Sequence, residues 1–235
     1  LEFRRVLFRS YNSNYNGAEI SLNKRFSRGF SVLTSYTYGK AIDDNSTITL
    51  GGCAANPYNL RADRGRAQYD ARHVLAVSWL WTPVASRPGF LGRLTGGWNL
   101  SGIHRYRTGY PFTIYTGDDT VFGGDICGGG ELHPNTVGDW HRDYSSRGDM
   151  VAKYFNTTAF AAPPAGVYGS AGRNILSYPN FTTSDFAVLR DILIWREQRV
   201  QFRAEFFNAF NQVNFTGVRN TLTDPRVGQL SAVAP

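Results

Sequence analysis

The chain has 235 residues, a formal charge of +7 at pH 7 and a hydrophobic fraction of 42%, much of it aromatic (16 Phe, 13 Tyr, 5 Trp). One Met and 25 Gly complete a composition that favours strands and turns over helices. No run of about 18 apolar residues is present to cross a membrane as a helix, a test to which a transmembrane strand is blind. A sequence pI near 9.6 invites a nucleic-acid partner, but the arginines are dispersed, with no basic helix or lysine block, so no nucleic acid is expected.

The first ten residues, L-E-F-R-R-V-L-F-R-S, fit poorly with the rest of the chain and resemble a translated adapter. The fold is therefore sought in 11–235. Residues 15–23 predict a first strand, with Ala18, Ile20 and Leu22 opposed to Glu19, Ser21 and Asn23. A turn over 24–29 leads to a second strand at 30–38, with Phe30, Val32, Thr34, Tyr36 and Tyr38 on one face. A long polar stretch, 39–70, has no sustained period. The third strand, 72–81, groups His73, Leu75, Val77, Trp79 and Trp81. Next come a connection carrying Pro83 and Pro88 and a fourth strand from Gly97 to about Tyr106, with Trp98, Leu100 and Tyr106 opposed to Asn99, Ser101 and Arg105. Pro111 either ends this strand or opens a bulged continuation through Tyr115.

The longest connection, about 116–181, is rich in Gly, Asp, Asn and Pro. A fifth strand at 185–190 sets Phe186 and Val188 against Asp185 and Ala187. The strictest alternation comes next, in E-Q-R-V-Q-F-R-A-E-F-F-N-A-F-N-Q-V-N-F. Val200, Phe202, Ala204 and Phe206 take one face, and Gln201, Arg203 and Glu205 the other; a helical period would mix the two sets. A last polar connection runs from 211 to 235. Connections thus alternate short and long, as in outer-membrane barrels with short periplasmic turns and long external loops. A compact soluble domain accommodates such long loops badly. The expected fold is all-β, an antiparallel up-and-down meander forming a partial, open transmembrane barrel. Tyr36, Tyr38, Trp79, Trp81, Trp98 and Tyr106 suit its interfacial girdles. The alternatives are a soluble secreted glycan-binding β-sandwich and a secreted β-rich hydrolase.

Several ordered blocks carry a family resemblance. G-A-E-I-S-L-N-K-R-F-S-R-G-F-S-V-L-T-S-Y-T-Y-G-K-A-I-D-D, N-P-Y-N-L-R-A-D-R-G-R with D-A-R-H, G-W-N-L-S-G-I with R-T-G-Y-P-F-T, A-F-A-A-P-P-A-G-V-Y-G-S-A-G-R-N-I-L and Q-F-R-A-E-F-F-N-A-F-N-Q-V-N-F occur in this order. Over residues 14–232 they resemble the C-terminal barrel of Oar-like TonB-dependent receptors, the type with a carboxypeptidase-regulatory-like domain. The resemblance implies a bacterial outer-membrane transporter importing a siderophore, glycan or peptide, with the plug and TonB-contacting region as parts not seen here and a final strand still to come. The implied partners are outer-membrane lipid, the TonB complex and an unidentified small substrate.

The lumen-facing candidates for binding are Glu19, Arg105, Arg107, Asp185, Gln201, Arg203 and Glu205. Cys53 and Cys127 fall in consecutive external loops, where a disulfide is chemically permitted. His73, His104, His133 and His141 lack ligand spacing, and no metal or other cofactor is expected. The pairs Asp43-Asp44 and Asp118-Asp119 lack an ordered Ca²⁺ pattern and read as solvated loop. The Asn-X-Ser/Thr triplets at Asn45, Asn99, Asn156, Asn180 and Asn214, and Arg147-Gly148-Asp149, read as chance. No nucleophile-base pair or carboxylate pair has supporting context, so no catalysis is expected.

Overall fold

A computed structural model of the chain describes residues 12–46, 54–56, 58–83, 96–122, 132–195 and 198–234. Cys53 and Cys127 lie outside these residues. In chain order the strands are β1 (Ser13–Ser27), β2 (Phe30–Asp43), β3 (Gly65–Arg66), β4 (His73–Trp81), β5 (Trp98–Arg107), β6 (Pro111–Phe112) and β7 (Asn135–Thr136). They continue with β8 (Phe160–Ala161), β9 (Leu176–Ser177), β10 (Phe181–Trp195), β11 (Gln198–Phe206), β12 (Phe215–Val218) and β13 (Leu230–Val233). Among the described residues a short α-helix, α1 (Arg147–Ala152), interrupts them.

The long strands form one antiparallel sheet in the order β1-β2-β4-β5-β10-β11, with β3 paired to the far end of β2. Among the described residues β1 and β11 do not pair with each other, so the sheet is open. β1 and β2 meet at a two-residue turn, Arg28-Gly29, whose φ angles of 52° and 78° give the left-handed geometry that matches strand twist.

Register, fixed by period-two alternation, sorts the side chains into two surfaces. Ile20 opposes Tyr36, Val32 opposes Trp79, Trp81 opposes Leu100, Leu100 opposes Val188 and Phe186 opposes Phe206, so all of these share a single face. The six girdle candidates lie on it too. Its apolar groups stay uncovered: Ile20 and Leu22 are 65% and 60% exposed, Phe202 and Phe206 52% each. No second sheet packs there among the described residues, which a β-sandwich would require. Trp79 instead lies over Gly102, where a Cβ would come within 2.6 Å of the indole. Two groups of polar side chains on this face pair with one another, as hydrocarbon demands. His104 accepts from Trp79 Nε1 at 3.2 Å and meets Ser184 Oγ at 3.1 Å, and Tyr36 Oη meets His73 Nδ1 at 2.8 Å.

The strands outrun the alternation that announces them. β10 begins at Phe181, not near 185, because Thr182, Thr183 and Ser184 take up partners in β5; threonine suits a strand, but a segment without apolar side chains shows no alternation. β2 likewise runs on to Asp43, its end held by β3. Pro111 opens no continuation of β5; β6 leaves the sheet and pairs with β9.

The long connections, expected to be structureless, are folded together. β6 with β9, β7 with β8 and β12 with β13 form three short ladders. They enclose a core of Phe112, Ile114, Phe155, Phe160, Leu176, Val218 and Leu230. Of the buried apolar side chains among the described residues, only Ala41 belongs to a long strand. The sheet therefore has no soluble-type core of its own. The 211–235 stretch is likewise more than a polar tail, since Tyr115 N–H donates to Asn220 and Asn220 Nδ2 to Thr113, threading it beside β6.

Candidate functional site: a polar wall and a clasped loop cap

The second face of the sheet carries every wall residue expected from alternation. Glu19 lies opposite Thr37, Arg105 between Ala76 and Thr183, Arg107 between Val74 and Phe181, Asp185 opposite Ile103, and Gln201, Arg203 and Glu205 opposite Asp191, Leu189 and Ala187. They share a surface without forming a single cluster, being spread over β1, β5, β10 and β11. Among the described residues, local contacts hold Glu19, Arg107, Asp185, Gln201, Arg203 and Glu205. Arg203 donates to Glu205 (Nε–Oε1 3.0 Å), Gln201 donates to Asp191 at 2.9 Å, Ser35 donates to Glu19 at 3.4 Å, and Asp185 accepts from the Asn208 N–H at 2.8 Å. The Arg107 guanidinium stacks on Tyr110 at 3.9 Å and Phe181 at 4.7 Å.

Where the sheet meets the cap, charged side chains interlock. Arg173 donates from Nε to the Asp63 carbonyl (2.7 Å), from Nη1 to Ser46 Oγ (3.1 Å) and from Nη2 to the Asp43 carbonyl (2.6 Å), and it pairs with the Asp43 carboxylate. A planar guanidinium is suited to such a fork of acceptors. Asp43 is therefore buried and paired, and Asp44 is bound by Arg64 at 2.9 Å, which corrects their reading as solvated loop. Asp70, also buried, accepts from the Ala41 N–H (2.7 Å) and Arg66 Nε (2.8 Å). Burial alone would raise its pKa, but these donors hold it below the usual carboxylate range. Asn174 adopts the left-handed conformation (φ 57°) that Asn tolerates and donates to the Arg66 carbonyl at 2.7 Å. Gly65 permits this contact, because a Cβ there would stand 2.5 Å from the Arg173 carbonyl oxygen.

Two titrations in the cap are displaced by burial. The Asp63 carboxyl is pushed up to about 6, opposed by the Ala55 N–H and Arg173, and its Oδ1 has no hydrogen-bond partner among the described residues. His133 is pushed down to about 4, with the Ala171 carbonyl opposing from 3.0 Å.

The Asn-X-Ser/Thr asparagines have structural work. Asn214 both accepts from the Thr182 N–H (2.8 Å) and donates to its carbonyl (2.9 Å), standing in for a strand partner at the edge of β10. Asn156 accepts from Thr158 N–H to start a 3₁₀ turn, and Asn180 accepts from Gly109 N–H. In Arg147-Gly148-Asp149, the Asp149 N–H donates to the N-cap Ser146 at 3.1 Å. Among the described residues no three of His, Cys, Asp and Glu converge as metal ligands.

The cap also holds a cleft of about 360 Å³, lined by Trp140, His141, Arg142, Asp143, Tyr144, Tyr154, Phe155 and the 175–177 segment. Alternation could not reveal it, because its residues follow no period. The available signal was the density of aromatic and charged residues in D-W-H-R-D-Y. Likewise, the clasp was announced only by Arg and Asp recurring in N-P-Y-N-L-R-A-D-R-G-R, D-A-R-H and G-R-N-I-L.

No helix among the described residues is long and apolar enough to cross a membrane, which says nothing of strands. No curated protein and no solved structure matches the chain. A family model for the outer membrane beta barrel domain matches residues 5–235. With its open antiparallel sheet and its one uncovered apolar face, the chain belongs to the outer membrane beta barrel domain family, a family of the bacterial outer membrane.

Proposed function

We propose that this chain is barrel wall and external loops of a TonB-dependent importer. The apolar face meets lipid, and the polar face with Arg105, Arg107, Arg203 and Glu205 lines the path of a small substrate. Energy would arrive through the TonB complex acting on a plug. The chain supplies a wall and a recognition surface, and we assign it no catalysis, cofactor or nucleic-acid partner.

The observation that carries the reading is the convergence of the resemblance blocks. Residues from N-P-Y-N-L-R-A-D-R-G-R and G-R-N-I-L, more than 100 positions apart in the chain, meet in the Arg173 and Asn174 clasp, and Asp70 of D-A-R-H braces it through Arg66. The test is depletion of compounds from growth medium by cells with and without the intact gene, each with and without a protonophore. A compound removed only by energised cells carrying the gene is expected. Gene-dependent uptake that ignores the protonophore would refute energised import in favour of a passive pore.

A further inference from the structure

We propose that the cleft of the loop cap binds a neutral saccharide, with a pyranose ring against Tyr144 and its hydroxyls bound by Asp143 and His141. The proposal rests on the importer reading for its biological role and names the substrate class of the external loops.

The cleft is built and rigid. Its volume of about 360 Å³ lies within the range of small-molecule sites, which join apolar walls to a few placed polar groups. The Tyr144 and Tyr154 rings are parallel to within 7° at 6.0 Å, and Tyr144 Oη donates to the Tyr154 carbonyl. Trp140 is held between Phe160 (6.1 Å) and His141 (5.7 Å). Its carbonyl accepts from the Asn156 N–H at 3.0 Å. Rings fixed before the ligand arrives lose little entropy when it does.

Charge selects the ligand. Among the described residues one arginine lines the cleft, Arg142, and it is consumed by Asp149 at 2.6 Å and by the Lys153 carbonyl. Asp143 is exposed and makes no hydrogen bond or ion pair among the described residues. His141 turns Nδ1 to Asp139 at 2.6 Å, leaving Nε2 for a ligand. An anionic chelate or phosphate would therefore meet a bare carboxylate, with no uncommitted arginine or lysine lining the cleft among the described residues. A purely apolar molecule would leave Asp143 and His141 unused. A pyranose offers an apolar C–H face for the tyrosine ring and vicinal hydroxyls that donate to a carboxylate.

The test uses the full-length receptor in detergent micelles and titrates it calorimetrically with cellohexaose, xylohexaose, maltohexaose and chitohexaose, and with a ferric tris-catecholate as the anionic probe. At least one oligosaccharide is expected to bind. Asp143→Asn should weaken it about tenfold, equivalent to roughly 1.4 kcal/mol. Asp143 supports no other group, so this variant leaves the packing intact. Tyr144→Ala should weaken binding at least as much, and Tyr144→Phe less, since the ring remains. Val137→Ala, exposed on the cap and not lining the cleft, should bind as the parent does. Absence of binding by all four sugars overturns the proposal. So does sugar binding indifferent to both Asp143→Asn and Tyr144→Ala, or tris-catecholate binding that is sensitive to them. Energised uptake without sugar binding would refute the saccharide and leave the importer; sugar binding without energised uptake would do the reverse.

Discussion

A charge placed on each face of the sheet in turn tests which one meets hydrocarbon. β4 has nine residues, about the length of a transmembrane strand, and Val77 is its central one, which places it near the bilayer midplane. Its register neighbours are Thr34 and His104, and both flanking strands are paired, so a guanidinium there has no acidic partner. Val77→Arg is expected to cost roughly 2–4 kcal/mol. Ala187, on the other face, stands opposite Ser101 and Glu205, so Ala187→Arg gains a cross-strand partner worth a few tenths to about 1 kcal/mol. Both substitutions enlarge a small side chain to the same product, so the difference isolates the surroundings. Phe202 would be a poorer probe, because Arg190 lies directly opposite and adds like-charge repulsion. The assay is refolding into phospholipid vesicles across a urea series, with the folded fraction read from heat-modifiable gel mobility. Equal midpoints for the two variants, or a lower midpoint for Ala187→Arg, would refute the assignment of faces.

Three further outcomes concern the cap. Arg173→Ala leaves the Asp43 carboxylate, whose side chain is 3% exposed, without its partner, at an expected cost of about 3–5 kcal/mol. Limited proteolysis should then cut within 54–72 and 108–180, and a full rescue by Arg173→Lys would show that one ammonium suffices where a fork is claimed. Gly65→Ala drives a methyl into the Arg173 carbonyl and should give the same proteolytic pattern; unchanged protection would contradict the close approach. The pH dependence of the cap is expected to be nearly level between pH 6.5 and 4, by compensation. Asp63 titrates near 6 when packed against 3.8 ordinarily, so its penalty is present above pH 6 and relieved as pH falls. His133, near 4 when packed against 6.5 ordinarily, builds a penalty over the same fall. Each amounts to about 3 kcal/mol at 1.36 kcal/mol per unit. Asp63→Asn removes the first and should make the cap acid-labile to protease; a flat profile in that variant would refute the compensation.

The wall was legible in the sequence and the cap was not, for a physical reason. Alternation is imposed by two different solvents on the two faces of a strand, and Val200 to Phe206 record it residue by residue. Even there, Thr182 to Ser184 escaped, since three hydroxyl side chains in a row leave no apolar face to alternate with a polar one. Phe112, Phe155 and Leu230 meet one another, but nothing periodic in their own segments announces it. Asp43 and Asp44 looked like solvated acids because the guanidinium that buries Asp43 lies 130 residues away. The aromatic cleft was hidden for a different reason: its rings come from the two short segments that flank α1, close in the chain but without any period.

The cap is stitched from connections that leave the sheet at separate points, with Phe112 and Leu176 from one and Val218 and Leu230 from another. None of these pieces can close the core alone. Arg173 cannot find Asp43, nor Asn220 find Thr113, until the strands between them have been laid side by side, across sequence gaps of 130 and 107 residues. Local contacts form first and such distant ones last. The cap is therefore a late event that records an early one: protease resistance of the loops, tracked over time, serves as a clock for when β4, β5, β10 and β11 have all reached their places.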